Sequence, residues 1–214
     1  MKVVIFQFSL FGINTYLVYD EKSGECVVID PGMISEEEEK AIERFITEKN
    51  LSLKYVIYTH LHLDHAVGND YLKKTYNVPV LAHPSEEIYG KNINSQAQMF
   101  GINRNFKNVE IDQPVYPGEI IKIGSGELEA IDVAGHSPGG LAFYDKKDGF
   151  IIVGDALFQN SIGRTDLHGG DLNKLLNNIK KNLFSLPDDT IVYPGHGDPT
   201  TIGDEKSNNP FLKH

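Results

Sequence analysis

Residues 59–70, THLHLDHAVGND, set three histidines and two aspartates among leucines directly after a strand-like run, LKYVIYTH. So many ligand-type side chains at the end of one strand constrain the chain more than any other stretch. In an extended segment, side chains at i and i+2 point to the same side, so His60 and His62 can share one metal ion. Asp64 continues that phase and His65 follows it, so a tight loop can aim the first pair at one ion and the second pair at a neighbour. Further ligand-type residues recur at the ends of predicted strands: His136 in VAGHSPGG, Asp155 in IIVGDALF and His196 in VYPGHGD. Strand ends are where loops present functional groups on a rigid scaffold. Four such loops converging would make a site. Histidines with a carboxylate, and no thiolate, suit borderline ions such as zinc or iron.

The surrounding pattern predicts what could hold those loops together. Branched and aromatic runs at 3–8, 15–20 and 26–32 read as an antiparallel meander. Ser35 precedes a helix over 36–50, with four glutamates in a solvated first turn and Ile42, Phe45 and Ile46 at helical spacing. A strand at 53–60, a short helix at 66–77, a buried strand at 78–83 and a helix at 84–101 opened by Pro84 follow. The second half gives strands at 119–124, 127–137, 141–145 and 149–158. It ends with a helix over 171–186 capped by Asp171, with Leu172, Leu175, Leu176, Ile179 and Leu183 on one stripe, and a strand at 190–196. Two similar halves, each a sheet with helices on one face, predict an α/β fold of four layers packed sheet to sheet. Residues 1–214 read as a single domain.

Composition removes several function classes. With 20 basic and 30 acidic residues the net charge is −10, and no basic cluster offers a nucleic-acid surface. The single cysteine, Cys26, has no internal disulfide partner, which fits a reducing compartment. The apolar N-terminus reads as a first strand and not a secretory signal, because Gln7 and Ser9 interrupt it and no small-residue cleavage site follows. No segment approaches the roughly 18 to 20 apolar residues of a membrane-spanning helix. A cytoplasmic protein without membrane or nucleic-acid partners is expected, as a monomer or small homo-oligomer.

The set His60, His62, Asp64, His65, His136, Asp155 and His196, with VIDPG upstream, resembles the ligand set of the metallo-β-lactamase superfamily. The likeness extends over nearly the whole chain and implies an αββα sandwich. It implies that His60, His62 and His136 hold one divalent ion, that Asp64, His65 and His196 hold a second, and that Asp155 bridges them. Zinc is the favoured metal, with iron or manganese as alternatives. Two ions roughly 3.5 to 4 Å apart can share a water, bring its pKa towards neutrality and stabilise the oxyanion formed on attack. Asp64 would also orient that water as a catalytic group.

Within the superfamily, lactamases that carry cysteine at the Asp155 position and flavodiiron proteins with glutamate for the second histidine do not match. AGHSPGG, GDALFQNSIGRTDLHGGD and a tail ending in NPFL are similar to the short glyoxalase II type, hydroxyacylglutathione hydrolases that cleave the thioester S-D-lactoylglutathione. Arg164 falls where longer enzymes of this type place a lysine that binds the glutathione carboxylate, and a guanidinium could do so bidentately. Those enzymes also carry a C-terminal glutathione-binding helical domain, not expected here, and tyrosines near the positions of Asp166 and Asp198. The alternative is a persulfide dioxygenase, which shares a GRTD segment and would use one iron on His60, His136 and Asp155.

Other residues carry lesser expectations. His83 reads as solvated or capping, His168 as a loop residue near substrate or touching nothing, and His214 as a disordered end. Gly135, Gly139, Gly154, Gly195 and Gly197 are expected to allow turns with positive φ beside the ligands. The stretch 89–106 reads as a lid or as an ordinary surface helix. Tyr89, Met99 and Phe100 read as a core stripe and not as a substrate pocket.

Overall fold

In the computed structural model, which describes residues 1–213, the first apolar runs form β1 (Lys2–Gln7), β2 (Asn14–Tyr19) and β3 (Glu25–Ile29). They pair as an antiparallel meander. His214 lies outside the described residues. α1 (Glu36–Glu48) starts with a reciprocal capping box: Ser35 Oγ accepts from Glu38 N–H, and the Glu38 carboxylate accepts from Ser35 N–H at 3.1 Å. At least one of the four glutamates is therefore structural as well as solvated.

The chain then runs parallel. β4 (Ser52–Ile57) pairs with β3, and α2 (Leu63–Ala66) and α3 (Asn69–Tyr76) lead to β5 (Val80–Ala82), parallel to β4. Where one helix is expected over 84–101, a short 3-10 turn precedes α4 (Glu87–Lys91) and α5 (Ile93–Met99). Asn92 causes the break: its backbone leaves the helical region, and its side-chain amide donates to Ile88 C=O at 2.7 Å, competing with the helix. β6 (Gln113–Pro114) closes this six-stranded sheet.

The second sheet is built from β7 (Ile120–Ile123), β8 (Gly126–Asp132), β9 (Leu141–Asp145) and β10 (Phe150–Gly154), all antiparallel. A small hairpin, β11 (Leu157–Phe158) and β12 (Ser161–Ile162), precedes α6 (Leu172–Asn178), which continues into a π turn at Ile179–Leu183. β13 (Ile191–Pro194) then pairs parallel with β10, and β14 (Thr200–Thr201) and α7 (Ile202–Asn208) complete the order. α7 has too short an apolar pattern to be legible in the sequence.

Three apolar clusters explain the layering. Leu17, Val28, Ile42 and Leu72 join the first sheet to its helices. Tyr16, Val27, Ile29, Phe143 and Ile152 fill the space between the sheets, and Ile151, Val153, Leu175, Ile179 and Leu183 join the second sheet to its helix layer. Neighbouring residues of one strand point to different clusters, so β2, β3 and β10 are buried on both faces and carry continuous apolar runs at 16–19, 26–29 and 150–153. In α6 and its π turn the buried stripe is Leu175, Ile179 and Leu183; Leu172, in the first turn, stays exposed. The expected four-layer α/β sandwich is the fold observed. No helix among the described residues is long and apolar enough to cross a membrane.

Candidate metal centre

β4, β8, β10 and β13 all point their C-terminal ends at one edge of the sandwich, followed by Thr59 to His65, His136, Asp155 and His196. Backbone bonds fasten that edge. Leu141 N–H donates to Thr59 C=O at 2.9 Å, Gly195 N–H to Gly154 C=O at 2.8 Å, and Asn14 N–H to Gly195 C=O at 2.8 Å. The two sheets therefore hold the four loops at fixed separations.

All seven expected residues meet there. His62 Nδ1 and His136 Nε2 are 2.9 Å apart, and the His60 ring centroid is 4.6 Å from that of His62 and 4.9 Å from that of His136. On the other side, Asp64 Oδ2 is 3.1 Å from His196 Nε2 and 3.8 Å from His65 Nε2. Asp155 reaches both groups: Oδ1 is 3.4 Å from His65 Nε2, and Oδ2 is 3.6 Å from His136 Nε2 and 3.7 Å from His196 Nε2. His60, His62 and His136 form one set able to hold an ion, and Asp64, His65 and His196 another.

The surrounding hydrogen bonds decide which ring nitrogen is free. Thr59 Oγ1 gives its only proton to Asp30 Oδ2 at 2.6 Å, so at His60 Nδ1, 3.0 Å away, it accepts. His136 Nδ1 donates to Arg164 C=O at 2.7 Å and His196 Nδ1 to Phe11 C=O at 3.1 Å, since a carbonyl can only accept. His65 Nδ1 faces Asp30 Oδ2 at 3.0 Å. Each of these four rings consequently turns Nε2 towards the cluster, the arrangement that outer partners impose on metal-binding histidines.

A cation fits what remains. Nε2 of His60 and His65 and Oδ1 of Asp155 face the cluster, buried without a hydrogen-bond partner among the described residues, and His62 meets it through Nδ1. Buried polar atoms are nearly always paired, so three such atoms in one place suit a positive ion.

Protonation divides the cluster in two. Burial, then the neighbouring imidazoles, pushes His60 well below the ordinary histidine range, and burial, then His136, takes His62 down to about 3. Burial also lowers His136, although Asp155 and the Arg164 carbonyl oppose it. Burial alone would depress His65 as well, but the carboxylates of Asp155, Asp64 and Asp30 outweigh it and raise His65 well above its usual value. His196 is raised against its burial by Asp64 and Asp155. Asp155 is held low, against its burial, by His65, His136 and His196.

Asp30 stands in the sequence only as part of the VIDPG turn, yet it orients this centre. Its Oδ1 accepts from Thr59 N–H at 2.8 Å and its Oδ2 serves Thr59 Oγ1 and His65. Although Asp30 is grouped in space with His60 and His65, both its oxygens are already engaged, so it acts as an outer partner. Close packing supports the loops too. Gly135, Gly154 and Gly197 have positive φ as expected, but Gly139 and Gly195 do not. Gly195 is required for space instead: a Cβ there would overlap Asp155 Oδ1.

A cavity of about 250 Å³ opens over the cluster, lined by Asp64, His136, Asp155, His196 and Arg164 and, on its apolar side, by Phe11, Tyr89, Met99, Phe100 and Leu167. Met99 and Phe100 are thus no core stripe: α5 ends at Met99, both side chains are exposed, and the Phe100 ring lies 5.1 Å from that of Phe11. Tyr89 is buried, packs edge-on to His62 and donates its hydroxyl to His168 C=O. His168 lines the cavity; His83 caps the 3-10 turn by accepting from Ser85 N–H at 3.2 Å. The Arg164 guanidinium grips Asp166 through two bonds of 2.7 and 2.8 Å. A wider cleft of about 790 Å³, lined by Asp132, Lys146 and Lys181 among others, contains none of these histidines.

Comparison with known proteins extends the match beyond the site. The sequence model of the metallo-beta-lactamase superfamily covers residues 9–196. A Haemophilus influenzae protein named hydroxyacylglutathione hydrolase GloC is 36% identical, covering 99% of this chain and 98% of its own. The crystal structure of BLEG-1 B3 metallo-beta-lactamase superposes with a TM-score of 0.89 at 32% identity, covering 100% of both chains. That of TTHA1623 in a di-iron-bound form gives 0.86 at 33% identity, covering 98% of this chain and 100% of the other. A likeness that runs through both sheets and every motif-bearing loop makes this chain a member of the metallo-β-lactamase superfamily.

Proposed function

We propose that the protein is a binuclear metal-dependent hydrolase of thioesters, of which S-D-lactoylglutathione is the substrate to test first. The observation that carries this reading is the position of Asp155, within 3.7 Å of ligand-type nitrogens in both groups. His60, His62 and His136 would hold one divalent ion, Asp64, His65 and His196 the other, and Asp155 both. Zinc is the favoured pair, and the di-iron form of a 33%-identical neighbour keeps iron in contention. Once bound, such ions bring water to its nucleophilic form near neutral pH and polarise the substrate carbonyl.

The chain's own residues supply the rest. Asp64, at the cavity floor, would accept a hydrogen bond from the attacking water and fix its direction. The apolar wall limits bulk water around the scissile bond. Arg164, at the rim, would take a substrate carboxylate. The naming of a 36%-identical relative as a hydroxyacylglutathione hydrolase supports the thioester choice. Because a B3 metallo-β-lactamase shares the fold, the absence of cysteine at position 155 separates only cysteine-bearing lactamases, and a lactam belongs in the substrate panel.

The deciding experiment measures metal per chain after purification without added metal, together with thiol release from S-D-lactoylglutathione. About two ions with rapid release supports the reading. One iron per chain, no thiol release and oxygen uptake with glutathione persulfide would replace it with the dioxygenase. Lactam hydrolysis without thioester hydrolysis would change the substrate class.

Two further outcomes are expected. Acid should strip the two positions in sequence. His60 and His62 have depressed pKa values and stay neutral well into acid, whereas His65 and His196 are raised and take up protons at higher pH. Protons therefore displace the ion at Asp64, His65 and His196 first as pH falls. Dialysis at stepwise lower pH should show metal content pausing near one per chain; a single-step loss of both contradicts it. Arg164→Ala should raise KM for a glutathione thioester about three- to tenfold and change kcat by less than about twofold, a discounted value because the exposed guanidinium already pairs with Asp166. His136 keeps its bond to the backbone carbonyl at 164 in that variant. Unchanged KM removes Arg164 from the substrate site.

A further inference from the structure

Outside the ligand set, one fully buried carboxylate has no role in the chemistry above. Glu86, in the 3-10 turn before α4, is 0% exposed and has no cationic hydrogen-bond partner among the described residues. Both its oxygens are spent on backbone. Oε2 accepts from Leu61 N–H at 3.0 Å and Oε1 from Gly139 N–H at 2.7 Å. Leu61 lies between His60 and His62; Gly139 lies three residues after His136.

Gln96, on α5, engages the same loop from the cavity side. Its Oε1 accepts from Leu63 N–H at 2.9 Å, and its Nε2 donates to Leu61 C=O at 3.3 Å and Tyr89 C=O at 3.1 Å. Two side chains from one excursion between β5 and β6 thus take three polar backbone groups of residues 61–63. None of those groups is used by β-sheet pairing.

We propose that Glu86 and Gln96 are positioning residues, Glu86 clamping the loop bearing His60 and His62 onto the loop bearing His136 and Gln96 tying the same His60–His62 loop to α4, which sets the three-histidine group before any ion arrives. The inference rests on the metal reading above for its purpose, but the clamp itself is a property of the backbone. Leaving a buried charge with no ion pair is costly. Two charge-assisted bonds to N–H groups on separate loops offset that cost only if both loops stay in place. Gln96 adds a second consequence: it also lines the cavity, so the wall bearing Tyr89, Met99 and Phe100 moves with the metal loop.

The test combines Glu86→Gln, Gln96→Leu and a control, Leu72→Ala, which opens the first sheet's helix-side core without removing any hydrogen bond of Glu86 or Gln96. The glutamine at 86 can accept one N–H but presents its own NH2 to the other. The readouts are zinc affinity by chelator competition and hydrogen exchange at Leu61, Leu63 and Gly139. In wild-type protein without metal those three amides should already be protected; Leu61 and Gly139 should lose protection together in Glu86→Gln, and Leu63 in Gln96→Leu. Zinc affinity should fall about 10- to 100-fold in Glu86→Gln and by a smaller factor in Gln96→Leu. Leu72→Ala should lower thermal stability and leave zinc affinity within about twofold.

Exchange at Leu61 and Gly139 as fast as in an unfolded chain, in the metal-free wild type, overturns the clamp even if Glu86→Gln does not fold. So does a Glu86→Gln variant with wild-type zinc affinity. Wild-type protein that binds no zinc, with the amides protected, overturns the metal reading and leaves the clamp standing.

Discussion

Asp155→Ala should reduce bound metal from about two per chain to one or none and lower kcat by about 10³-fold or more, beyond the 10- to 100-fold typical of outer-partner changes. Within the cluster, Asp155 has oxygens facing ring nitrogens from both groups. Without it, His65, His136 and His196 keep their orientation, because Asp30, the Arg164 carbonyl and the Phe11 carbonyl hold their other nitrogens. The loss therefore falls on shared coordination and not on the frame. Its Oδ1 makes no hydrogen bond among the described residues, so the metal-free fold should survive. The distinguishing measurement is thermal denaturation with and without zinc. Wild-type protein should gain about 4 kcal/mol for each ion held at a thousandfold excess over its Kd, whereas the variant, with one ion or none, should gain about half of that total or less. A variant that keeps two tightly held ions at full turnover would sink the assignment.

The sequence made the ligands legible and left most of their supports hidden, for a physical reason. His60, His62, Asp64 and His65 announce themselves by spacing, and His136, Asp155 and His196 by following strand-like runs. Asp30, Glu86 and Gln96 act on backbone N–H groups or on one ring nitrogen of residues 25 to 53 positions away, and nothing in their local sequence marks that. The layers were legible because β2, β3 and β10 are apolar on both faces. The cavity wall was not: Met99 and Phe100 fall at helical spacing, which says that they share a face but not what the face meets. Asn92, in the same stretch, ends one helix and starts another, and the sequence pattern reads straight through it.

Asp30→Asn tests the outer layer most severely, because it changes a proton's address and little else. The carboxylate accepts from Thr59 N–H, from Thr59 Oγ1 and at His65 Nδ1, so the neutral, ion-binding form of His65 keeps its proton on Nδ1 and leaves Nε2, which faces Asp64 and Asp155, for an ion. An asparagine keeps the shape but must place its NH2 where one carboxylate oxygen was. If Nδ2 replaces Oδ2, it donates to His65 Nδ1, and the ring proton moves to Nε2, the atom needed for an ion. If it replaces Oδ1, it confronts the Thr59 N–H and leaves two buried donors opposed. Either arrangement costs the Asp64, His65 and His196 group. The expected result is a loss of the second ion at ordinary zinc concentrations and a fall in kcat of about 10²- to 10⁴-fold, the scale on which a wrong imidazole tautomer acts in hydrolases. His60 should still bind, since Thr59 Oγ1 can accept from its Nδ1 whichever way the substituted amide turns. Nitrogen NMR of the histidine rings reads the tautomer directly: a His65 signal with the proton on Nδ1 and two retained ions would refute this role for Asp30.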